Sequence, residues 1–313
     1  MKRNHLAIVA LVCAFAVSAQ VCAQQFQVGD VFVSGSIPTG GTQEFQNKLL
    51  WYGNDGQLKH VLADSAVFDF GRLAFDTRGI LYFTSSRGIE TINSVGQITP
   101  GPFGPDTFRS LAFTADGSLL AGADQVLSRF GPSGASLNTF SVPDFLVQLD
   151  VASDQCTVYW VGPGIRRFDS CGGLQEPDFV TIPPFVGGSS EFRLLVGGGM
   201  AIARNDGIEI YNNAGLLLRK IGAVGGPVAL DVDRSSIWVA EAGSLFKFDI
   251  ATGNTLLGPI ATGLTGFDGL TVYGEPRAAF VNGQLAGIPV LSRWMLLVLF
   301  AALGGVAILR LRM

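Results

Sequence analysis

The sequence predicts an all-β protein: a six-bladed β-propeller with Velcro closure, in which the two ends of the ring share one blade. Three observations predict it. A glycine marker recurs about every forty residues, and a leucine marker recurs with the same period. At the two ends of the repeat region the markers are incomplete, because the first glycine has no leucine before it and the last leucine has no glycine after it. The composition agrees, because glycine is abundant (41 of 313 residues) and charged residues make up only 15%, as is typical of turn-rich β proteins.

The glycine marker ends six segments that each carry an aromatic or bulky apolar strand. Its positions are Gly56, Gly96, Gly134, Gly172, Gly215 and Gly253, with spacings of 40, 38, 38, 43 and 38 residues. The leucine marker opens each unit, at Leu73, Leu111, Leu149, Leu194, Leu230 and Leu270. The unit at 70–99 reads as four short strands separated by turns rich in Gly, Asp, Asn and Ser. A period near forty with four strands per unit indicates propeller blades.

The ends of the repeat region indicate how the ring closes. FDGLTVYGE, around Leu270, looks like a first strand with nothing after it, whereas 31–36 and 48–56 look like a second and third strand without a first. Pairing 267–273 with 31–36 completes this blade and removes exposed sheet edges. The predicted blades are 27–62 plus 267–273, 70–100, 108–141, 146–182, 191–222 and 227–260. An open β-solenoid would leave the split first unit unexplained.

The amino terminus has the three-part layout of a secretory signal peptide over residues 1–23. Lys2 and Arg3 precede an apolar run, and small residues follow at two candidate cleavage signals, the second ending at Ala23. An uncleaved anchor helix is the alternative, but the run is short for a span. Export through the Sec translocon and cleavage by signal peptidase are therefore expected, leaving a propeller domain at 24–274.

The charge of the middle of the chain argues against nucleic-acid binding. Five basic residues lie at the two ends, so the middle holds 16 Lys and Arg against 25 Asp and Glu, a formal charge of 16 − 25 = −9. An acidic domain repels phosphate backbones.

Two cysteines remain after signal-peptide removal, Cys156 and Cys171. Exported proteins reach an oxidising compartment, where a cysteine pair is normally a disulfide. The turn between the two flanking strands centres on Pro163 and Gly164, whose numbers sum to 327, as do 156 and 171. The two cysteines are therefore predicted to face each other across a hairpin, within disulfide reach.

The units FGRLAFDTRGILYF and GPVALDVDRSSIWVAEAGSLFKFDIATG resemble blades of the NHL and virginiamycin B lyase-like propellers. The run DVASDQCTVYWVGPGIRRFDSCGGLQEPDF and the closing FDGLTVYGE resemble secreted bacterial propellers without an assigned activity. The resemblance covers roughly residues 27–275 and implies the fold; it says little about function, because this fold hosts many chemistries.

Histidine chemistry does not carry over from these lyases, which use a histidine as general acid or base. The chain has two histidines: His5 in the signal peptide, and His60 in an outer-strand stretch far from the central channel. His60 is predicted to be a surface residue, so Ser/His/Asp catalysis and histidine metal sites are not expected.

Acidic residues allow a structural and a metal-binding interpretation. Asp76, Asp116, Asp154 and Asp233 each follow the first strand of a blade beside Gly, Ser or Thr, where Asp closes turns onto its own backbone. Calcium ligation is the alternative for these four. Gluconolactonase-type propellers hold a divalent metal in the channel; the set cannot be matched here, although Asp206, Glu241 and Asp268 could approach one another. No metal and no cofactor is predicted.

A ring of polar residues precedes the marker leucines and is expected at one mouth of the central channel. Its members are Arg72, Arg109, Gln148, Arg193 and Asp268. Converging arginines could bind a carboxylate or an anionic sugar through bidentate hydrogen bonds. The alternative is that each arginine pairs with a nearby Asp and holds adjacent blades together.

The carboxyl terminus predicts a membrane anchor. A turn-rich linker at 275–287 leads to a segment without charge from Trp294 to Leu309, followed by Arg310 and Arg312. A transmembrane helix at about 294–311 fits this pattern, with Trp294 at the interface and the basic end in the cytoplasm.

Residues 288–313 resemble the IPTL-CTERM sorting signal of Gram-negative bacteria, a relative of the PEP-CTERM group. Ile288, Pro289, Leu291, Ser292 and Trp294 match its motif, whereas Val290 and Met295 replace the usual threonine and glycine. The resemblance implies an inner-membrane anchor with the propeller in the periplasm, cleavage by an exosortase-like enzyme, and transfer to the cell surface or extracellular matrix.

The function predicted from these features is an exported, surface-directed, non-catalytic propeller that acts as a binding or structural module. An anionic glycan or a surface protein is the expected partner. The alternative is a channel-located carbohydrate or lactone hydrolase or lyase that uses acidic residues and a divalent metal. A passive spacer is a third interpretation.

Overall fold

The computed structural model describes residues 25–40, 45–66, 69–104, 106–162, 164–180, 191–222 and 225–276. The predicted signal peptide, most of the predicted linker and the predicted sorting signal and membrane helix lie outside these ranges. Within them, no helix has the length and apolar character needed to cross a bilayer.

Twenty-four strands form six four-stranded antiparallel sheets in the described part of the chain. Blade one contains β1 (Val31–Pro38), β2 (Phe45–Tyr52) and β3 (Leu58–Ser65), and blade two contains β4 (Leu73–Phe75), β5 (Leu81–Ser85), β6 (Gly88–Ile92) and β7 (Ile98–Pro100). Blade three contains β8 (Ser110–Phe113), β9 (Leu119–Ala123), β10 (Val126–Phe130) and β11 (Ser136–Ser141).

The remaining strands complete the ring. Blade four contains β12 (Leu149–Val151), β13 (Thr157–Val161), β14 (Ile165–Asp169) and β15 (Leu174–Val180); blade five contains β16 (Glu191–Leu194), β17 (Met200–Arg204), β18 (Gly207–Tyr211) and β19 (Leu217–Ile221). Blade six contains β20 (Val228–Leu230), β21 (Ser236–Glu241), β22 (Ser244–Asp249) and β23 (Thr255–Ala261), and β24 (Gly266–Val272) is the innermost strand of blade one. The predicted six-bladed propeller is confirmed.

The Velcro closure is confirmed by the pairing of β24 with β1. The register runs antiparallel from Val31 opposite Val272 to Ser36 opposite Gly266, with a bulge between Ser34 and Gly35. The bulge brings the backbones very close, since a Cβ on Gly35 would lie 2.1 Å from the Gly266 carbonyl oxygen. Reciprocal bonds between the Tyr273 and Gly29–Asp30 backbones extend the pairing beyond the strands.

The core lies between blades. Six buried apolar clusters are found among the described residues, one at each interface between neighbouring blades. Trp51, Trp160 and Trp238 are the largest fully buried side chains. A sheet buried on both faces needs a neighbour on each side, and closing the ring supplies both neighbours to every blade.

The antiparallel meander defines two faces of the disc. We call the face where the innermost strands begin the upper face, and the face where they end the lower face. The turns between the first and second strands and between the third and outer strands lie on the lower face. The chain also passes the lower face at Val31 and Val272, the paired ends of β1 and β24.

The recurring glycine marks the lower-face turn before each outer strand. Gly215 has a φ of +74°, and a Cβ there would lie 2.6 Å from the Phe179 carbonyl oxygen of blade four. A Cβ on Gly134 would lie closer still, at 1.8 Å from the Pro102 carbonyl oxygen of blade two. In blade four this position belongs to Gly173 (φ +70°), not to Gly172 as predicted, because the turn after Asp169 is one residue longer.

Candidate functional site

The central channel brings together three of the five predicted ring residues. Arg72, Gln148 and Arg193 line a narrow cavity of about 20 Å³ together with Glu191. The three predicted residues each stand immediately before a marker leucine, and that leucine packs between blades. Because side chains alternate along a strand, the preceding residue points to the channel.

Arg72 forms an ion pair with Glu191 inside this cavity. Arg72 belongs to blade two and Glu191 to blade five, which are opposite each other in a ring of six. Glu191 is fully buried and only 15% of the Arg72 side chain is exposed. Burial, together with repulsion from Arg193, lowers the pKa of Arg72 to about 10, although Asp268 opposes the shift. The guanidinium therefore stays charged at neutral pH, and the ion pair spans the channel.

Arg193 forms a second buried ion pair, with Glu275 just beyond β24. The Arg193 Nε lies 3.0 Å from Glu275 Oε1, and the other guanidinium nitrogens donate to the carbonyl oxygens of Phe192 and Leu270, each at 3.1 Å. Glu275 Oε1 also accepts the Leu230 backbone N–H at 2.7 Å. This one carboxylate therefore ties the innermost strand of blade six to Arg193 of blade five, and Arg193 in turn holds β24 of blade one.

Two side chains of blade four bond to the main chain of blade five. The Gln148 amide accepts from the Phe192 N–H at 2.8 Å and donates to the Phe192 carbonyl oxygen at 3.0 Å, as a neighbouring strand would. Asp150 Oδ2 accepts the Leu194 N–H at 3.1 Å. Both side chains are buried, so these bonds join inner strands that have no direct ladder between them.

The other two predicted ring residues lie at the upper mouth. The Arg109 side chain is 62% exposed, and its Nε lies 3.2 Å from Asp124 Oδ1 in the same blade. Asp268 reaches solvent, yet partial burial raises its pKa; Asp69 adds to the shift, and Arg72 opposes it. The structure therefore separates a buried, paired part of the ring from an exposed part. Anionic-ligand binding by the ring stays a prediction.

Sequence reasoning missed Glu191 and Glu275, the two carboxylates that pair with the channel arginines. Glu191 was detectable in principle, because it stands two residues before Arg193 and so shares its face of β16. Glu275 follows the last strand, and no local pattern marks it. The channel pairs join blades that are not neighbours, whereas the structural alternative expected arginine–aspartate pairs between adjacent blades.

The acidic turn residues lie on the lower face and close the turns that follow the first strands, as the turn interpretation expected. Asp154 Oδ1 accepts the N–H groups of Cys156 and Thr157, and its Oδ2 accepts the Thr157 hydroxyl at 2.6 Å. Asp76, Asp116 and Asp233 make equivalent bonds in blades two, three and six. These four carboxylates act as local turn caps.

One group of three potential metal ligands occurs among the described residues, formed by Cys156, Asp169 and Cys171. Its two sulfurs are bonded to each other. Asp206, Glu241 and Asp268 form no such group there, and Asp206 pairs with Lys220 on the outer side of blade five. His60 is exposed on the outer strand β3, as predicted.

The Cys156–Cys171 disulfide is confirmed, with the Cα atoms 5.2 Å apart. The predicted register was wrong by one residue, since Thr157 pairs with Asp169 and Val161 with Ile165. Ser170 is therefore the residue opposite Cys156, and its N–H donates to the Cys156 carbonyl oxygen. Cys171 reaches Cys156 because the chain turns immediately after β14, where Asp169 caps the turn.

No protein-family model and no curated protein matches this chain. Solved structures match its fold. A protein of unknown function from Bacteroides caccae has 12% identity and a TM-score of 0.58, over 80% of this chain and 100% of that one. A gluconolactonase from Xanthomonas campestris has 16% identity and a TM-score of 0.53, over 70% and 85%. A chain of a nidogen–laminin complex has 13% identity and a TM-score of 0.56, over 79% and 100%. At these identities the likeness establishes the propeller fold alone.

Proposed function

We propose that this protein is an exported, surface-directed, non-catalytic propeller that serves as a binding or structural module. The observation that carries the proposal is the content of the channel. Its arginines and glutamates are committed to one another across the ring, and about 20 Å³ of space is left between them. That volume holds about one water molecule.

The paired channel disfavours catalysis for an energetic reason. A substrate would have to separate ion pairs that are already buried, and an unpaired buried charge costs several kcal/mol. Active sites more often hold convergent polar groups at an open concave surface. In the non-catalytic proposal, the channel charges therefore stabilise the fold. An anionic glycan or a surface protein would bind at the exposed upper mouth, at Arg109 and Asp268.

The proposed route to the cell surface rests on the sequence of the two ends. A signal peptide at 1–23 directs export, and the segment at 288–313 anchors the chain in the inner membrane until an exosortase-like enzyme releases it. The disulfide supports this location, because disulfides persist in oxidising compartments such as the periplasm.

A lactone or carbohydrate hydrolase is the second candidate. It is favoured by Asp268, an acidic side chain at the channel mouth whose pKa is raised by burial, since perturbed carboxyl groups concentrate at functional sites. The propeller shape shared with the Xanthomonas campestris gluconolactonase is compatible with it.

Activity measurements on the full chain separate the two candidates. Gluconolactone and a panel of glycans are incubated with the protein alone and with Ca²⁺, Mg²⁺, Mn²⁺ or Zn²⁺, beside Asp268→Asn and the exposed control Asp206→Asn. We expect all three proteins to match the uncatalysed rate under every condition. A metal-stimulated rate that Asp268→Asn loses and Asp206→Asn keeps would establish the hydrolase and refute the non-catalytic proposal.

A further inference from the structure

The lower face carries a set of exposed large apolar side chains among the described residues. Of fourteen large apolar residues that are exposed, ten lie on or next to the lower-face turns or the lower chain end. These ten are Val28, Leu58, Ile80, Val95, Leu137, Leu174, Leu216, Leu217, Leu218 and Leu256. Three lie toward the upper face, at Phe45, Val126 and Phe145, and Val61 lies within an outer strand. Scattered exposed apolar residues are normal, but exposed apolar residues that recur at the same turn of successive blades form a surface that can take part in an interaction.

A repeated position supplies most of this surface. Five of the six outer strands carry an exposed leucine at their first or second residue, at Leu58, Leu137, Leu174, Leu217 and Leu256. Blade five adds Leu216 and Leu218, giving three consecutive exposed leucines before Arg219. The leucines thus form a broken ring around the lower edge of the disc, which we call the leucine rim.

A groove of about 260 Å³ adds apolar surface between blades one and two on the same face. Phe26, Ile80 and Tyr273 lie along it. Phe26 also packs edge-on against Phe32 and Trp51, so the start of the described chain is held against the lower face.

The chain leaves the propeller on this face. β24 ends at Val272, and after Pro276 the sequence continues through the predicted linker into the apolar stretch at about 294–311. The 17 residues at 277–293 span at most about 60 Å when fully extended. An anchor at that stretch would tether the lower face within about 60 Å of the bilayer to which the chain is attached.

The charges of the lower face select the kind of membrane surface. Its turns carry Asp116, Asp154, Asp233 and Asp249, and the exposed basic residues Arg78, Arg219 and Arg234 lie among them. Acidic and basic groups are therefore mixed, and the face presents no net cationic field for anionic headgroups. Apolar contact with a zwitterionic interface is compatible with such a surface, whereas an electrostatic attraction to anionic lipid is not.

We propose that the lower face rests on the bilayer, with the leucine rim in the interfacial region of zwitterionic phospholipid. The inference rests on the membrane anchor of the proposed function. It goes further, because it fixes the orientation of the propeller: the lower face meets lipid, and the upper mouth of the channel points away from the membrane toward partners.

The test places a polarity-sensitive fluorophore on each face of the full chain. Leu217→Cys and Leu137→Cys carry it on the rim, at positions 53% and 52% exposed, and Phe145→Cys and Phe45→Cys carry it on the upper side, at 57% and 51%. The unsubstituted protein, treated in parallel, gives the background labelling. Each protein is reconstituted at one copy per phosphatidylcholine nanodisc, with and without lipids that carry a quencher on the acyl chain.

We expect rim probes to shift to the blue and to be quenched at least threefold more than the upper probes, with no increase when phosphatidylglycerol is added. Thermal unfolding of each variant checks that the labelled propeller is folded. Equal quenching on both faces, with the protein firmly in the disc, would overturn the orientation and leave the anchor intact. Failure of the full chain to enter nanodiscs would overturn both. A blue shift that appears only with two copies per disc would also overturn the proposal, because it would assign the rim to self-association.

Discussion

Gly215 illustrates how a single residue type sets the spacing between blades. Its turn adopts a left-handed backbone (φ +74°), and the turn lies against the Phe179 carbonyl oxygen of the preceding blade. Two demands therefore coincide, one on the backbone angle and one on space. A residue with a side chain meets neither demand, which explains why glycine recurs at this turn and serves as one of the two markers of the repeat.

Gly215→Ala is expected to lower the free energy of unfolding by about 2–4 kcal/mol. About 1 kcal/mol comes from the positive φ, and the remainder comes from displacing packed backbone. Gly263→Ala is the matched control, because Gly263 has the same φ of +74° but no atom within 4 Å of a Cβ. Gly263→Ala should lose only the contribution of about 1 kcal/mol that comes from the positive φ, as measured by urea unfolding. Equal losses in the two variants would mean that contact with blade four does not constrain the turn.

At the scale of the element, the lower-face turns are capped by ionised aspartate carboxylates. Burial acts to raise the pKa of the Asp154 carboxyl, but hydrogen bonds from the Thr157 hydroxyl and from the backbone N–H groups of Thr157 and Cys156 outweigh it and lower the pKa. The pKa values of Asp116 and Asp233 are lowered in the same way by Thr114, Ser118, Ser235 and Ser236. Each turn is therefore stabilised by the ionised form of its aspartate.

Acid should weaken these turns. A carboxyl whose pKa is lower in the folded state contributes stability above its unfolded value, near pH 4, and loses it as the pH falls through the folded value. Asp154→Asn should therefore reduce the loss of unfolding free energy between pH 6 and pH 3, measured by urea titration.

Glu241→Gln should act with the opposite sign in the same titration. Burial raises the pKa of Glu241, so the wild-type residue gains relative stability on acidification, and its replacement should steepen the acid loss. An Asp154→Asn protein with an unchanged pH dependence would refute the role assigned to the turn caps.

Hairpin register was harder to predict than strand existence. Blade four was placed at 146–182, within three residues of the observed span from Leu149 to Val180, because apolar runs and turn residues mark its strands. The register between β13 and β14 was wrong by one residue, since it depends on the geometry of the connecting turn, where the Gly162 N–H bonds to the Gly164 carbonyl oxygen. The disulfide prediction was correct despite the wrong register, because Cys171 lies in a turn and not in the ladder.

At the scale of the molecule, the ring was predictable and the contents of its channel were not. The period gave the number of blades, and the phase of the two markers gave the closure between β1 and β24. The Arg72–Glu191 and Arg193–Glu275 pairs join residues 119 and 82 positions apart. They meet because the ring closes, and local sequence carries no signal of a contact across it.

The central claim is that the channel charges hold the fold together and do not serve a substrate. A double-mutant cycle on Arg72→Met and Glu191→Leu, measured by urea unfolding of the full chain, tests it most directly. Each single change should cost about 3–5 kcal/mol, because it leaves a buried charge without its partner. The double change should restore most of that loss, giving a coupling energy of at least about 2 kcal/mol. Residues kept for function commonly destabilise the fold. Single variants that are at least as stable as wild type, with no coupling energy between the two positions, would therefore contradict the structural role of the channel pair.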